Sequence, residues 1–183
     1  MRMEKATFGG GCFWCTEAIF KRISGVASVS SGYTGGKREN PSYDQVSTGA
    51  TGHAEAIQIV FDPKVIPFAR LLDIFWATHD PTTLNQQGAD IGTQYRSVIF
   101  YHSEKQKEEA ESSKETLEKS GTYTDPIITE ILPFTEFFTA EEYHQNYYDA
   151  NRSYPYCRVV IDPKVQKLLK EFSKEVKDEY KQA

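Results

Sequence analysis

Cysteine is scarce in this chain, with three among 183 residues, too few for a disulfide scaffold. Long apolar runs are missing as well. None approaches the roughly 20 residues that span a bilayer, so no membrane partner is expected. The opening Met1-Arg2-Met3-Glu4-Lys5 carries no hydrophobic segment ahead of the first strand, which argues against a secretory leader. Positive charge is in deficit. The formal net charge is −5 and no basic stripe is visible, so nucleic acid is not an expected partner either. Internal repeats and low-complexity linkers are lacking, and a single catalytic domain over residues 1–183 is expected, its core at 4–160 and its terminal helix at 162–181. Few thiols and no leader point to a reducing, cytoplasmic compartment in which thiols do chemistry. The remaining composition, 39% hydrophobic and 26% charged, is ordinary for a globular protein.

Gly9-Gly10-Gly11-Cys12-Phe13-Trp14-Cys15 is the most informative stretch. It follows the apolar Ala6-Thr7-Phe8 and leads into a helix over Cys12 to Ile23. The glycines free the backbone to turn after a strand. Cys12 then falls at the first helical residue, where unpaired N–H groups and the positive end of the macrodipole favour an anion. Such a position can lower a thiol pKa from about 8.5 to roughly 3.5–7.5. Cysteines are also common as small buried apolar residues, and Cys12 and Cys15 fit that description by position.

Downstream, Val26 to Tyr33 reads as a strand and residues 34–53 as a long polar loop without structure of its own. Ala54 to Asp62 alternates as a strand, with Ile57, Ile59 and Phe61 on one face. A helix opens at Pro67 and ends near His79-Asp80-Pro81. A second loop, Pro81 to Thr93, precedes a strand over Gln94 to His102. Ser103 caps a charged helix that Gly121 breaks. Ile127 to Leu132 is a further strand, Thr139 to Ala150 a short helix capped by Thr139 with Glu142 in a capping box, and Asp162 to Lys181 a terminal helix. The fold class is α/β (α+β), a two-layer sandwich with a ferredoxin-like core, a mixed sheet covered by helices and a long irregular C-terminal segment.

Four chemistries compete for the thiols. Cys12 and Cys15 could be a thioredoxin-like CxxC pair. They could join Cys157 and a histidine around zinc, although a lone CxxC is a weak signal. Cys12 could act in acyl transfer with His53, His79, His102 or His144 as base. Finally, Cys12 could attack an oxidised substrate and become a sulfenic acid that a second thiol captures. Phe13 and Trp14 beside the nucleophile, able to line a small apolar pocket, favour the last.

Seven segments carry a resemblance: Gly10-Gly11-Cys12-Phe13-Trp14-Cys15, Gly32-Tyr33-Thr34-Gly35-Gly36, Asn40-Pro41-Ser42-Tyr43, Thr51-Gly52-His53-Ala54-Glu55, Phe75-Trp76-Ala77-Thr78-His79-Asp80-Pro81, Gly92-Thr93-Gln94-Tyr95-Arg96-Ser97 and Tyr143-His144-Gln145. In this order they resemble peptide methionine sulfoxide reductases of the A type, from residue 7 to about 160. The resemblance implies an oxidoreductase in which Cys12 attacks the sulfoxide sulfur. Glu55 would protonate the oxygen, helped by the hydroxyls of Tyr43 and Tyr95. A carboxyl buried beside a thiolate should stay protonated. Phe13 and Trp14 would hold the substrate methyl, Asp90 would accept a backbone N–H, and Tyr156 would add to the pocket. Cys157 would resolve the sulfenic acid, with Cys15 as the alternative. The resemblance further implies S-epimer preference, no metal, no bound cofactor, a monomer, and thioredoxin or another dithiol as partner and reductant.

Overall fold

The structure, a computed structural model, describes residues 2–181. Met1, Gln182 and Ala183, the ends of the expected domain, lie outside the described residues. The chain runs through β1 (Glu4–Gly10), α1 (Phe13–Lys21), β2 (Val26–Thr34), α2 (Tyr43–Ser47), β3 (Ala54–Phe61) and α3 (Phe68–Thr78). Next come the small hairpin β4 (Gln86–Gln87) and β5 (Asp90–Ile91), then β6 (Ser97–Tyr101), α4 (Glu104–Lys119), β7 (Glu130–Pro133) and β8 (Phe137–Thr139). The chain closes with α5 (Tyr147–Ala150), a π-helical turn over Cys157–Ile161 and α6 (Asp162–Glu171).

Six strands form one mixed sheet in the order β7-β6-β1-β3-β2-β8. Neighbours are antiparallel except for β6 and β7. The four central strands with α1 and α3 make the split β-α-β arrangement of a ferredoxin-like core. β1 is hydrogen-bonded along both edges and buried on both faces, so Ala6, Thr7 and Phe8 are all inaccessible. Phe8 stacks on Phe75 at 4.9 Å between ring centres and lies 5.5 Å from Phe20, which joins β1, α1 and α3 in one core. No described helix is long and apolar enough to cross a membrane.

Several expected elements differ. The polar stretch 34–53 contains α2, held by a full capping box between Ser42 and Gln45. The stretch 81–93 contains the β4–β5 hairpin, and the strand expected from Gln94 begins only at Ser97, after a 3-10 turn over Thr93–Tyr95. Of the helix expected over 139–150, only a 3-10 turn at Glu142–His144 and the single turn of α5 are formed. Phe137–Thr139 pairs with β2 instead, and Gln145 continues that edge through its side chain, accepting from Ser31 N–H and donating to Ser31 O and Ala140 O. The terminal helix stops at Glu171. Beyond it, Ser24 N–H donates to Glu175 O, Lys177 N–H donates to Arg22 O, and Ile23 bridges Val176. Tertiary pairing to the α1–β2 turn wins there over helix propagation.

Candidate active site

The end of β1 and the start of α1 make the floor of the site. Gly11 turns the chain at φ +93°, where a Cβ would lie 2.6 Å from Gln87 Cγ. Cys12 follows as the residue preceding α1, and its carbonyl accepts from Cys15 N–H at 3.1 Å. Phe13 N–H, the first free donor of the helix, points across the sheet to Glu55 Oε2 at 3.1 Å. Glu55 sits on β3 at 2% exposure, and burial pushes its carboxyl up to about 8 even against the Phe13 N–H, with Asp90 and Cys15 adding to the rise.

The two thiols of the turn act on each other's ionisation. Burial, the Cys15 thiol and the neighbouring Glu55 hold the Cys12 thiol well above its usual range. Cys15 is drawn down to about 7 by the Cys12 thiol, against its own burial and with help from Lys164. The lowered pKa expected for Cys12 from its place at a helix start is therefore corrected: desolvation outweighs the helix end, and Cys12 rests as a thiol.

Aromatic side chains wall this floor. Phe13 is buried, and Trp14 is half-buried with Tyr147 stacked on it at 3.7 Å and 7°. Tyr156 meets Trp14 edge-on, donates its hydroxyl to Asp90 Oδ2 at 2.7 Å and stands 3.8 Å from Cys15 Sγ. Tyr43, at the start of α2, and Tyr95, in the 3-10 turn before β6, are half-buried. Burial and then the Glu55 charge raise both phenols, so they stay protonated.

Cys12, Phe13, Trp14, Tyr43, Glu55, Asp90, Tyr95 and Tyr156 thus converge from six separate segments. Cys157 stands apart. It is fully buried in the π-helical turn, all three cysteines are free, and no hydrogen bond among the described residues ties Cys157 to either other thiol. The flexible tail expected to carry it is a helical segment running into α6.

The histidines considered as bases are committed elsewhere. His53 braces the stretch 36–38 through Gly36 N and Arg38 O. His79, pushed down to about 4 by burial, bridges Phe75 O and Ser97 Oγ. His102 bonds Thr7 Oγ1, and His144 Nδ1 accepts from Trp14 Nε1–H. Acyl transfer therefore has no base at Cys12 among them. No group of three or more metal-ligating side chains is disposed around a common point among the described residues. A groove of about 760 Å³ between α3, α4 and α6, lined by Trp76, Leu117 and Tyr123, includes none of the site residues. The sequence reading missed Tyr147 and Glu141. The Tyr143-His144-Gln145 segment was the signal that pointed to their neighbourhood.

Comparison with known proteins adds a family. The family model for peptide methionine sulfoxide reductase matches residues 4–177. The MsrA of Sulfolobus acidocaldarius is 56% identical across 93% of this chain and 96% of its own. That of Saccharolobus solfataricus is 53% identical across 96% of this chain and 98% of its own. Among solved structures, reduced Mxr1 from Saccharomyces cerevisiae superposes with a TM-score of 0.78 at 38% identity, covering 85% of this chain and 90% of Mxr1. Mxr1 has also been solved in complex with Trx2, and this chain resembles that structure at a TM-score of 0.55 and 30% identity over 80% of its length and 85% of Mxr1. With its family model spanning nearly the whole length and its relatives more than half identical, the chain belongs to the peptide methionine sulfoxide reductases and is an oxidoreductase.

Proposed function

We propose that this enzyme reduces methionine S-sulfoxide, free or within proteins, using Cys12 as nucleophile and Glu55 as acid. The observation that carries this reading is the buried Glu55 carboxyl, raised to about 8, one Phe13 N–H away from the Cys12 turn. A sulfoxide oxygen gains charge as its sulfur is attacked, and a neutral carboxyl can both donate to it and protonate it. Tyr43 and Tyr95 supply further donors from the same side. Cys12 sulfur attacks the sulfoxide sulfur, the S–O oxygen passes to Cys12, and methionine leaves with its sulfur reduced. Cys12 is oxidised to the sulfenic acid, whose hydroxyl carries the proton given by Glu55, and the proton lost by the attacking thiol returns to the Glu55 carboxylate. Phe13 and Trp14 grip the S-methyl group, Asp90 accepts a backbone N–H, and Tyr156 holds the Asp90 carboxylate in place.

The sulfenic acid then condenses with a second thiol, releasing water and leaving a disulfide. Cys157 serves as this thiol by opening of its π-helical turn. Cys15 is the alternative, favoured by its place three residues on in the same turn and its influence on the Cys12 thiol but hindered by the geometry of a bridge within one helical turn. Thioredoxin or a similar dithiol returns the enzyme to the reduced state, a step supported by the likeness to Mxr1 solved with Trx2. The reaction belongs in a reducing cytoplasm and needs only a monomer formed as a single domain.

Cys12→Ser should abolish reduction of acetyl-methionine sulfoxide, and full activity in that variant overturns the mechanism. After one turnover, Cys157→Ser should retain a free sulfenic acid while Cys15→Ser forms a disulfide. The reverse pattern assigns the resolving role to Cys15. Insulin reduction with no sulfoxide turnover would instead favour a general CxxC oxidoreductase.

A further inference from the structure

Away from the thiols, three helices leave a gap that their own side chains do not fill. α4 buries only Gln106 and Ala110, both in its first half. Beyond them the residues it turns to α3 and α6 are small, Ser112, Ser113 and Thr116, before Leu117. Small side chains leave the space between the helices unoccupied there, and that space is the groove of about 760 Å³.

Its walls present carbon. Trp76 uses its one polar atom on the groove wall, Nε1–H donating to Ser113 Oγ at 2.8 Å, so the rest of the indole is apolar. Tyr123 likewise commits its hydroxyl, donating to Trp76 O at 3.2 Å and His79 O at 3.4 Å. The two rings and Leu117 therefore offer a ligand an aromatic and aliphatic surface.

The rim is acidic. Asp73 of α3, Glu108 and Glu109 of α4 and Glu171 of α6 border the groove, against a single ammonium, Lys167. Arg70 holds Asp73 at 3.0 Å, and Lys105 faces Glu109 at 3.6 Å. Glu108 and Glu171 have no ion-pair partner among the described residues. Unpaired carboxylates on two helices around an aromatic surface attract a cation and reject an anion. The volume is that of one small molecule, within the roughly 300–1,000 Å³ of such sites. A partner chain needs a face of about 800 Å² on each side. None of the large exposed apolar side chains among the described residues borders the groove to supply one.

We propose that this groove is a second binding site, which takes an organic cation with a flat apolar body, of the arylalkylamine class. Its ring lies against Trp76, Leu117 and Tyr123, and its ammonium is drawn to Glu108 and Glu171. The site shares no residue with the Cys12 pocket, and the proposal stands whether or not that pocket reduces sulfoxides.

Tryptamine, tryptophol and indole-3-acetate test it, since they carry one indole body with a positive, a neutral and a negative end. Each is titrated into the reduced, nitrogen-15-labelled protein. The chain has two tryptophans, so the indole N–H resonances of Trp76 and Trp14 report the groove and the thiol pocket separately. Tryptamine should move the Trp76 resonance with a Kd on the order of 100 µM and leave Trp14 in place. Tryptophol should bind about tenfold more weakly and indole-3-acetate more weakly still, with the gap narrowing in high salt. Glu108→Gln combined with Glu171→Gln should bring tryptamine to the tryptophol level. Thr116→Phe should fill the groove and abolish binding. All three positions are exposed, and unchanged far-ultraviolet dichroism and Tm show that the variants fold. Equal Kd values for the three ligands would overturn the proposal, as would a shift confined to Trp14 or no saturation below about 10 mM tryptamine. Undiminished binding in Thr116→Phe or in the double glutamine variant would overturn it too.

Discussion

The chemistry proposed for this protein turns on one ionisation, that of Glu55. Its folded pKa of about 8 lies above the ordinary 4.5, so between those values the folded state keeps a proton that the unfolded chain has released. Stability therefore falls as pH rises through that window, and is flat on either side. Glu55→Gln should remove this slope, its advantage growing from pH 4.5 to about 8 and reaching on the order of a few kcal/mol above it. Denaturant titrations at pH 5 and pH 9 check it, and equal slopes for the two proteins would refute it. The same proton is proposed to reach the sulfoxide. The kcat/KM of the wild-type enzyme should then decline as pH passes about 8, while Glu55→Gln, which still donates, keeps much of its activity and lacks that limb. Glu55→Ala should be slow at every pH. At this scale the sequence was readable for types and poorly readable for state. The structure brings Glu55 to the Cys12 turn through Phe13 N–H, but a thiol at a helix start looks acidic until its desolvation is known, and desolvation comes from residues far away in the chain.

Elements hold these side chains by contacts that local pattern does not reveal. The turn from β1 to α1 depends on Gly11 at φ +93°, packed on Gln87, whose amide donates to Asp80 O and accepts from Asp80 N–H, each at 2.9 Å. Gly11→Ala should cost about 1–3 kcal/mol and lower Tm by on the order of 5 °C, with a larger loss of activity as Cys12 shifts. A calorimetric scan and a sulfoxide assay measure both. β1, α1, β3, α3 and α4 were legible because hydrophobic period, capping serine and breaking glycine or proline agree there. Phe137–Thr139 was not, because a three-residue edge strand has no period, and its continuation is a glutamine side chain. Gln145→Ala should therefore loosen this edge, removing one acceptor for Ser31 N–H and two donors. Its effect should appear as faster amide exchange at Ser31 and Ala140, with α4 unaffected. The helix predicted beyond Glu171 failed for the same kind of reason, since Val176 pairs with Ile23 across more than 150 positions of chain.

Across the whole molecule, the pocket is assembled from pieces that composition and spacing leave scattered. Phe13 and Trp14 come from α1, Glu55 from β3, Tyr43 from α2, Asp90 from β5, Tyr95 from a 3-10 turn, and Tyr156 from the approach to α6. Nothing in the sequence alone says that these ends meet; the family motifs carried that information, and the sheet order explains it. β1 is paired on both edges, and the ladder to β3 runs to Phe8 and Ile57, two residues short of Gly10 and Glu55. The proposed nucleophile, two residues past β1, and the proposed acid, on β3, are thus held by strands enclosed in the middle of the sheet, while Cys157 belongs to a helical segment whose neighbours Tyr154 and Val159 are exposed. Such a division gives the molecule two melting behaviours. Amides of β1 and β3 should exchange with deuterium only when the entire chain opens, and those of 152–160 through a smaller excursion at lower free energy. Heat or denaturant should then abolish the first, sulfoxide-reducing half-reaction and the far-ultraviolet dichroism at one shared midpoint, whereas alkylation of the buried Cys157 by an added reagent, which needs only the smaller excursion, should begin below it. Aging preparations would accordingly lose Cys157 to air oxidation first and, on its proposed resolving role, accumulate molecules that can take one oxygen and cannot be recharged.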